Sequence, residues 1–436
     1  MVKGSVLFKS YRGLPRDAKY LIFSATLPFV AYGMFYTDLS FFLTSVQGLS
    51  IPMMGLIVTV MGVSTFVASI PLGIVADKYG RKRLHIVGNI MASAIIAVFA
   101  LTTNIAVLLA AAVAEGIAEA AFAASANALL AEKAQEERRT DAYSLFGFVQ
   151  AIAFGVGSLM IPITVVFETV GFTNREGHVL LYVILAILSL SSTVFMLRIN
   201  EPRRVKRHGV NWRNMLPHKS KDPLAKYVLS SGLIAFGAGM VVPLMAAWLG
   251  LQYGITDAVS GPILGLSSLV TGVAMLAGPS LAKRIGLVKA ITVTQGFSTV
   301  FMFIIPLSSG YVSAGFAYAF RSFLMNMSAP LEQSVIMGIV VEDERGAAAG
   351  VSSAVWSLPN ALSSFVGAYL MALGLLAAPF FLSGIFYIVS IMLFWYYPPT
   401  PNPGYIILSC VPFRTFIEST ISNRFIPISS ANKAHS

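Results

Sequence analysis

With only one cysteine, Cys410, among its 436 residues, the chain has no internal disulfide and no thiolate metal site. Charge is scarce as well: Asp, Glu, Lys and Arg make up 11% of the residues, about half the share in a soluble protein. The five histidines (His85, His178, His208, His218 and His435) fall at segment ends or in loops. None is grouped with other ligands along the chain, so no metal centre and no cofactor are expected. A G-x-x-x-x-G-K-[ST] loop is missing, which argues against transport driven by ATP. Nor does any histidine stand with acids as a membrane enzyme's constellation would require, so the chain is not read as an enzyme.

What the sequence does have is apolar length. Hydrophobic residues make up 56% of it, in blocks long enough for the roughly 20 residues that carry a helix through a bilayer. Twelve such blocks are found: 20–44, 53–76, 84–102, 104–131, 142–168, 179–199, 224–250, 259–282, 289–309, 311–340, 348–374 and 376–397. Three of the connections shrink to single residues, Thr103, Gly310 and Leu375. With both termini placed in the cytoplasm, 28 of the 30 Lys and Arg fall on the cytoplasmic side. Only Arg175 lies opposite and only Arg321 lies deep in a span, the asymmetry that membrane insertion produces. The net charge of +11 is therefore a topological signal that attracts anionic lipid headgroups; it is not a nucleic-acid footprint. The expectation is an all-α polytopic protein of the cell membrane with twelve transmembrane helices.

The segment Glu201–Pro223 is polar and basic and divides the spans six and six. The predicted layout is a basic arm (1–19), an N-terminal six-helix bundle (20–199), a cytoplasmic linker (200–223), a C-terminal six-helix bundle (224–397) and a cytoplasmic tail (398–436). The tail's one apolar piece, YIILSC, is too short to span. A weak repeat supports duplication: VADKYGRK between spans 2 and 3 corresponds to LAKRIGLVK between spans 8 and 9, with a Gly at the same point. The two bundles are expected to be pseudo-symmetric.

The run Gly73-Ile-Val-Ala-Asp77-Lys-Tyr-Gly80-Arg81-Lys82-Arg83 resembles the 2–3 loop signature of the major facilitator superfamily, G-x-L-A-D-R-x-G-R-K, with Val75 for Leu and Lys78 for Arg. With the six-plus-six layout, the resemblance extends over about residues 15–397. It implies secondary transport by alternating access, spans 1, 4, 7 and 10 around a central cavity, and a cytoplasmic gate built from Gly73, Asp77, Gly80, Arg81 and Lys82. Gly73 would admit a close neighbouring helix. Asp77 would face the positive end of span 11 near Gly346–Gly350, and Arg81 would pair with Asp77. The fourth span departs from the pattern: Ala112-Val-Ala-Glu115-Gly116 lacks the usual Arg and has an acid where Gln is common. The adjacent Gly-Pro of the fifth-span antiporter signature is also absent.

Ionisable residues inside spans cost about 2.5–3.5 kcal/mol each, so they mark cavities or partners. The acids are Asp38, Glu115, Glu119, Glu168 and Glu332, opposed by Arg321 alone. Glu168 sits at an outer helix end. Glu115 and Glu119 share a helix face about 6 Å apart along the axis. Arg321 lies at a similar depth in the equivalent span of the other half. The expectation is a cavity holding Asp38, Glu115, Glu119, Arg321 and Glu332. One Glu would pair with Arg321 and the other would take a proton, because two nearby carboxylates resist double ionisation. Glu332 would gate the cytoplasmic half or bond locally. Asn127, Gln150, Gln295, Asn326 and Asn360 are candidate hydrogen-bonders. Phe122, Phe146, Phe320 and Trp356 are candidate apolar walls.

The functional expectation is a secondary active transporter of a small solute, working as a monomer and coupled to protons. The surplus of acids leans toward export of cationic or lipophilic compounds. The alternatives are a proton-independent facilitator, a proton symporter for a sugar or an organic anion, or a non-transporting membrane sensor.

Overall fold

In a hydrocarbon core each backbone N–H and C=O must find its partner within the chain, so apolar segments of this length fold as helices. The computed structural model describes residues 13–134, 139–198, 220–340 and 345–396. The arm 1–12, most of the 200–223 linker and the tail 397–436 lie outside the described residues. Spans 1 to 6 are Arg16–Phe41 with a π-turn Phe42–Val46, Ile51–Tyr79, Arg81–Leu101, Ile105–Lys133, Arg139–Leu159 continued by Ile163–Thr169, and Asn174–Ser191 continued by Thr193–Leu197. Spans 7 to 12 are Lys221–Gly239 continued by Met245–Tyr253, Asp257–Ile285, Leu287–Ile304, Tyr311–Ile339, Arg345–Ala372 and Ala378–Tyr396. Ten of these are long and apolar enough to cross a membrane by composition alone. The other two, spans 10 and 11, are 29 and 28 residues long and pack in the same bundle. The single-residue connections widen to 102–104, 308–310 and 373–377.

Packing repeats between the halves. Span 1 lies on 5, span 2 on 4, span 3 on 4 and 6, and span 1 on 6. Span 7 lies on 11, span 8 on 10, span 9 on 10 and 12, and span 7 on 12. The halves meet where span 2 packs on span 11 and span 5 on span 8, which exchange under the same pseudo-two-fold. The sequence repeat has a structural counterpart. Gly80 (φ 107°) and Gly286 (φ 89°) turn the chain between spans 2 and 3 and between 8 and 9, a backbone that a Cβ would strain.

Close crossings hold each half. An added Cβ at Gly157 would strike the Val30 carbonyl, and one at Gly33 the Phe154 carbonyl, where spans 1 and 5 cross. Gly239 against Asn360 and Gly367 against Met240 repeat this arrangement at spans 7 and 11. Small residues let helices approach where lipid offers no hydrophobic drive for association.

Span 7 is interrupted by a 3-10 turn at Val242–Leu244, and the cause is local. Pro243 has no N–H to give the Gly239 carbonyl; the Ser364 hydroxyl from span 11 donates to it at 3.0 Å. Val241 N–H turns to Ala238 at 3.1 Å, and the Ser383 hydroxyl of span 12 donates to the Gly237 carbonyl at 2.7 Å. A broken helix is tolerable at this depth because neighbours supply the lost partners.

Gly157→Leu is expected to destabilise the protein by about 1–3 kcal/mol through overpacking against span 1, read as a lower Tm in detergent. Gly73→Ala, where a Cβ meets no described atom within 4 Å, should stay within about 0.5 kcal/mol.

Candidate functional site

Between the halves lies a cavity of ≈ 560 Å³, walled by residues of spans 1, 4, 5, 7, 8, 10 and 11. Spans 5, 8 and 11 thus add to the expected set of 1, 4, 7 and 10. The cavity extends toward the side carrying the 2–3 and 8–9 turns, called the basic side below; Trp356 on its wall is 48% exposed. The far side is shut. There Ser40 of span 1 accepts a hydrogen bond from Ala247 N–H of span 7 at 3.2 Å, and the Trp248 indole, fully buried, donates to the Leu376 carbonyl at 2.9 Å.

Glu119 stands halfway along span 4 and faces the cavity, while Glu115, one turn nearer the far side, is buried. The Tyr36 hydroxyl of span 1 lies 3.4 Å from a carboxylate oxygen of each, tying the pair together. Thr65 of span 2 donates to Glu119 at 3.0 Å. The second oxygen of Glu115 and the hydroxyl of Tyr32, stacked on Tyr36 at 5.5 Å, have no hydrogen-bond partner among the described residues. Gly116 lets span 2 close over this segment, since a Cβ there would meet the Met61 carbonyl. The shared helix face expected from the four-residue spacing is present.

Arg321 also lines the cavity, buried, but among the described residues it forms no ion pair with Glu115 or Glu119. Its guanidinium donates to the Tyr387 hydroxyl of span 12 and sits 5.6 Å from that ring's centre, leaving Nε without a partner among the described residues. The expected Glu–Arg pair is replaced because an aromatic hydroxyl on the adjacent helix reaches the guanidinium within its own half.

Two further acids leave the expected set. Asp38 is fully buried on the far side, where Tyr182 donates to it at 3.0 Å and His178 lies 3.7 Å away. His178 in turn is 2.8 Å from Asp257. The reading that no histidine joins other ligands is therefore corrected: the three come together from spans 1, 6 and 8. Sequence boundaries hid them. Thr173 and Glu176 form a capping box that starts span 6 at Asn174, so His178 is inside the helix. The [ST]-x-x-E signature was legible as Thr173-Asn-Arg-Glu176. Asp257 opens span 8, where an acid suits the helix's positive end. Glu332 is held by Gln295 of span 9 and by Ser328 at 2.9 Å, the local bonding that was one of its two expected roles.

On the basic side, Arg81 Nη1 is 3.4 Å from Glu132 at the end of span 4, an acid the sequence reading passed over. Lys82 donates to the Leu197 carbonyl at 2.9 Å. An added Cβ at Gly73 meets no described atom within 4 Å, and the side chains at the start of span 11, its expected neighbour, lie outside the described residues. The Asp77 side chain lies outside the described residues, as does that of Asn127. Of the other candidates, Gln150, Asn326, Asn360, Phe122, Phe146 and Trp356 line the cavity. Gln295 instead joins spans 9 and 10, and Phe320 is 55% exposed and stacks on Phe301.

Comparison with known proteins places this geometry. The chain matches the Major Facilitator Superfamily over residues 21–329 and, in a second overlapping match, over 227–418. It is similar to an uncharacterized membrane protein, YJR124C, of Saccharomyces cerevisiae, 20% identical over 385 residues, which are 77% of this chain and 86% of that one. Its fold resembles the nucleoside transporter NupG (TM-score 0.69, 15% identity, 87% of this chain and 98% of that one). It also resembles a bacterial homologue of the human lysosomal transporter Spinster (TM-score 0.70, 14% identity, 88% of this chain and 98% of that one).

Tyr36→Phe should leave the buried Glu115 carboxyl without its hydroxyl partner at a cost of about 1–3 kcal/mol, measured as a lower Tm.

Proposed function

Because the chain belongs to the Major Facilitator Superfamily, we propose that it is a secondary active transporter that couples movement of a small solute to protons. It is a transporter and not an enzyme, and it is a multi-pass membrane protein. In the proposed arrangement it lies in the cell membrane with both termini in the cytoplasm, so that the cavity opens to the cytoplasm. The basic residues of the 2–3 and 8–9 turns support that orientation.

The observation that carries the coupling is the Glu115–Tyr36–Glu119 unit. A buried carboxyl and a cavity-facing carboxyl touch one hydroxyl, with no cation paired to either among the described residues. Two unpaired negative charges at that depth are expensive, and a proton on one removes much of the cost. Solvent reaches Glu119 through the cavity, and rearrangement of spans 1, 2 and 4 during alternating access would change how tightly Tyr36 and Thr65 hold it. Proton occupancy would thereby bias which side is open.

For the cargo, the cavity joins Glu119 and Arg321 to an aromatic wall of Phe29, Phe122, Phe146 and Trp356. The lean to cationic compounds rested on a surplus of acids over Arg321 in the cavity. With Asp38 and Glu332 elsewhere, a lipophilic solute of small net charge fits better, moved outward from the cytoplasmic side. Arg321 supports a second reading, an organic anion bound through the unpartnered Nε.

Proteoliposomes carrying a pH indicator inside, challenged with lipophilic compounds and organic acids, test both. A compound-dependent proton flux is expected, at least about tenfold lower in Glu119→Gln with the fold retained. Solute movement without proton flux, or unchanged flux in that variant, overturns the coupling.

A further inference from the structure

Asp38, His178 and Asp257 are not reached by the cavity and take no part in the coupling proposed above. They lie together on the shut far side, all buried, with Asp38 and His178 from spans 1 and 6 of one half and Asp257 from span 8 of the other. Phe42 stacks on the His178 ring at 5.5 Å and lies tilted against Tyr182 at 4.9 Å, sealing the group from solvent.

Hydrogen-bond polarity identifies what the group holds. His178 Nδ1 is 2.8 Å from the Asn174 carbonyl oxygen, which only accepts, so Nδ1 bears the hydrogen. A neutral imidazole would then point the bare lone pair of Nε2 at an oxygen of Asp257 2.8 Å away. Two acceptors do not approach that closely without a proton between them. The contact therefore contains one proton more than a neutral histidine and a carboxylate would bring. A tetrahedral metal ion fits poorly, since ligand atoms bound at about 2.0–2.2 Å stand roughly 3.3–3.6 Å apart around the ion, against 2.8 Å between His178 Nε2 and Asp257. Asp38 supplies a second negative charge 3.7 Å from Nε2, steadied by the Tyr182 hydroxyl. Its other oxygen is buried without a partner among the described residues.

We propose that His178, Asp257 and Asp38 form a proton-binding latch that holds the far side shut between the two halves. Opening that side draws span 8 away from spans 1 and 6, breaks the His178–Asp257 contact and exposes both groups to water. The closed state keeps the shared proton; the opened state gives it to the outer solution. Without the proton, the closed arrangement would confine two carboxylates beside a neutral imidazole with no cation. By mass action the closed state dominates at lower outer pH, and alkaline solution favours opening. The titratable groups acting on one another here are His178, Asp38, Asp257 and Tyr182. On the adjoining surface, exposed Glu168 and Glu176 are bonded to Asn174 and Thr173, and Arg175 is exposed.

The test uses the full chain in nanodiscs without solute, so that it reads the latch separately from any transport coupling at Glu119. Spin labels at Phe172→Cys and Leu307→Cys in a Cys410→Ser background report the far-side separation of the halves by double electron–electron resonance. The expected result is an opened population that rises at least about threefold between about pH 6 and about pH 9. His178→Gln, which keeps a donor to Asp257 but does not titrate, should abolish that dependence, and so should Asp257→Asn. Glu119→Gln should retain it. Distances that do not move with pH in the unsubstituted protein overturn the latch even if a variant fails to fold. A full pH response in either latch variant also overturns it. So does closure that requires added zinc and reverses with chelator at constant pH, which would make the group a metal site.

Discussion

Moving an ionised side chain from water into hydrocarbon costs enough, about 2.5–3.5 kcal/mol even by insertion measures, that each interior charge must be given company. A surface ion pair, by comparison, contributes about 0–1 kcal/mol. In this protein the interior charges are found together with hydroxyls, amides and an imidazole from other helices. Arg321 is held by Tyr387 of span 12, Glu119 by Thr65 of span 2, and Asp38 by Tyr182 of span 6. These contacts fix the rotation of helices that have little amphipathic pattern to orient them. Glycine crossings at Gly33, Gly157, Gly239 and Gly367 then set how closely the same helices approach.

That constraint separates two levels across the membrane. At mid-depth the Glu115–Tyr36–Glu119 unit and Arg321 face a cavity reached from the basic side. Nearer the far side, Asp38, His178 and Asp257 are sealed behind aromatic rings. The first group lies where solute and solvent can reach it. The second lies where the halves must part for the cavity to open the other way. The interruption of span 7 at Pro243 lies between them and lines the cavity, with Ser364 satisfying the carbonyl it frees. Irregular backbone at this depth is found where protein or a cavity surrounds it.

The spacing of Glu115 and Glu119 was enough to place them on one face, because four residues bring a helix round to nearly the same direction. Gly80 and Gly286 were legible as a repeated turn. Neither spacing nor composition disclosed which other helix each charge would face. Arg321 and Glu115 sit at like depths in equivalent spans, yet the arginine is bonded to Tyr387, a partner 66 residues on. His178 was set aside as a span-end residue and Asp257 fell between the assigned spans 7 and 8, although Thr173–Glu176 and the acid opening span 8 both mark helix starts that place them inside.

By itself the sequence determined the class, the twelve spans, the six-plus-six division and the basic asymmetry of the loops. Each follows from the local cost of burying backbone and charge in lipid, which is paid segment by segment. Tertiary structure alone decided that Asp38 belongs to a far-side cluster and not to the cavity. It alone decided that Glu332 bonds to span 9, that Arg321 turns to span 12, and that spans 5, 8 and 11 help to wall the cavity. These outcomes depend on how helices distant in sequence rotate and cross. An apolar segment that can face lipid or protein with equal ease carries little local record of that choice.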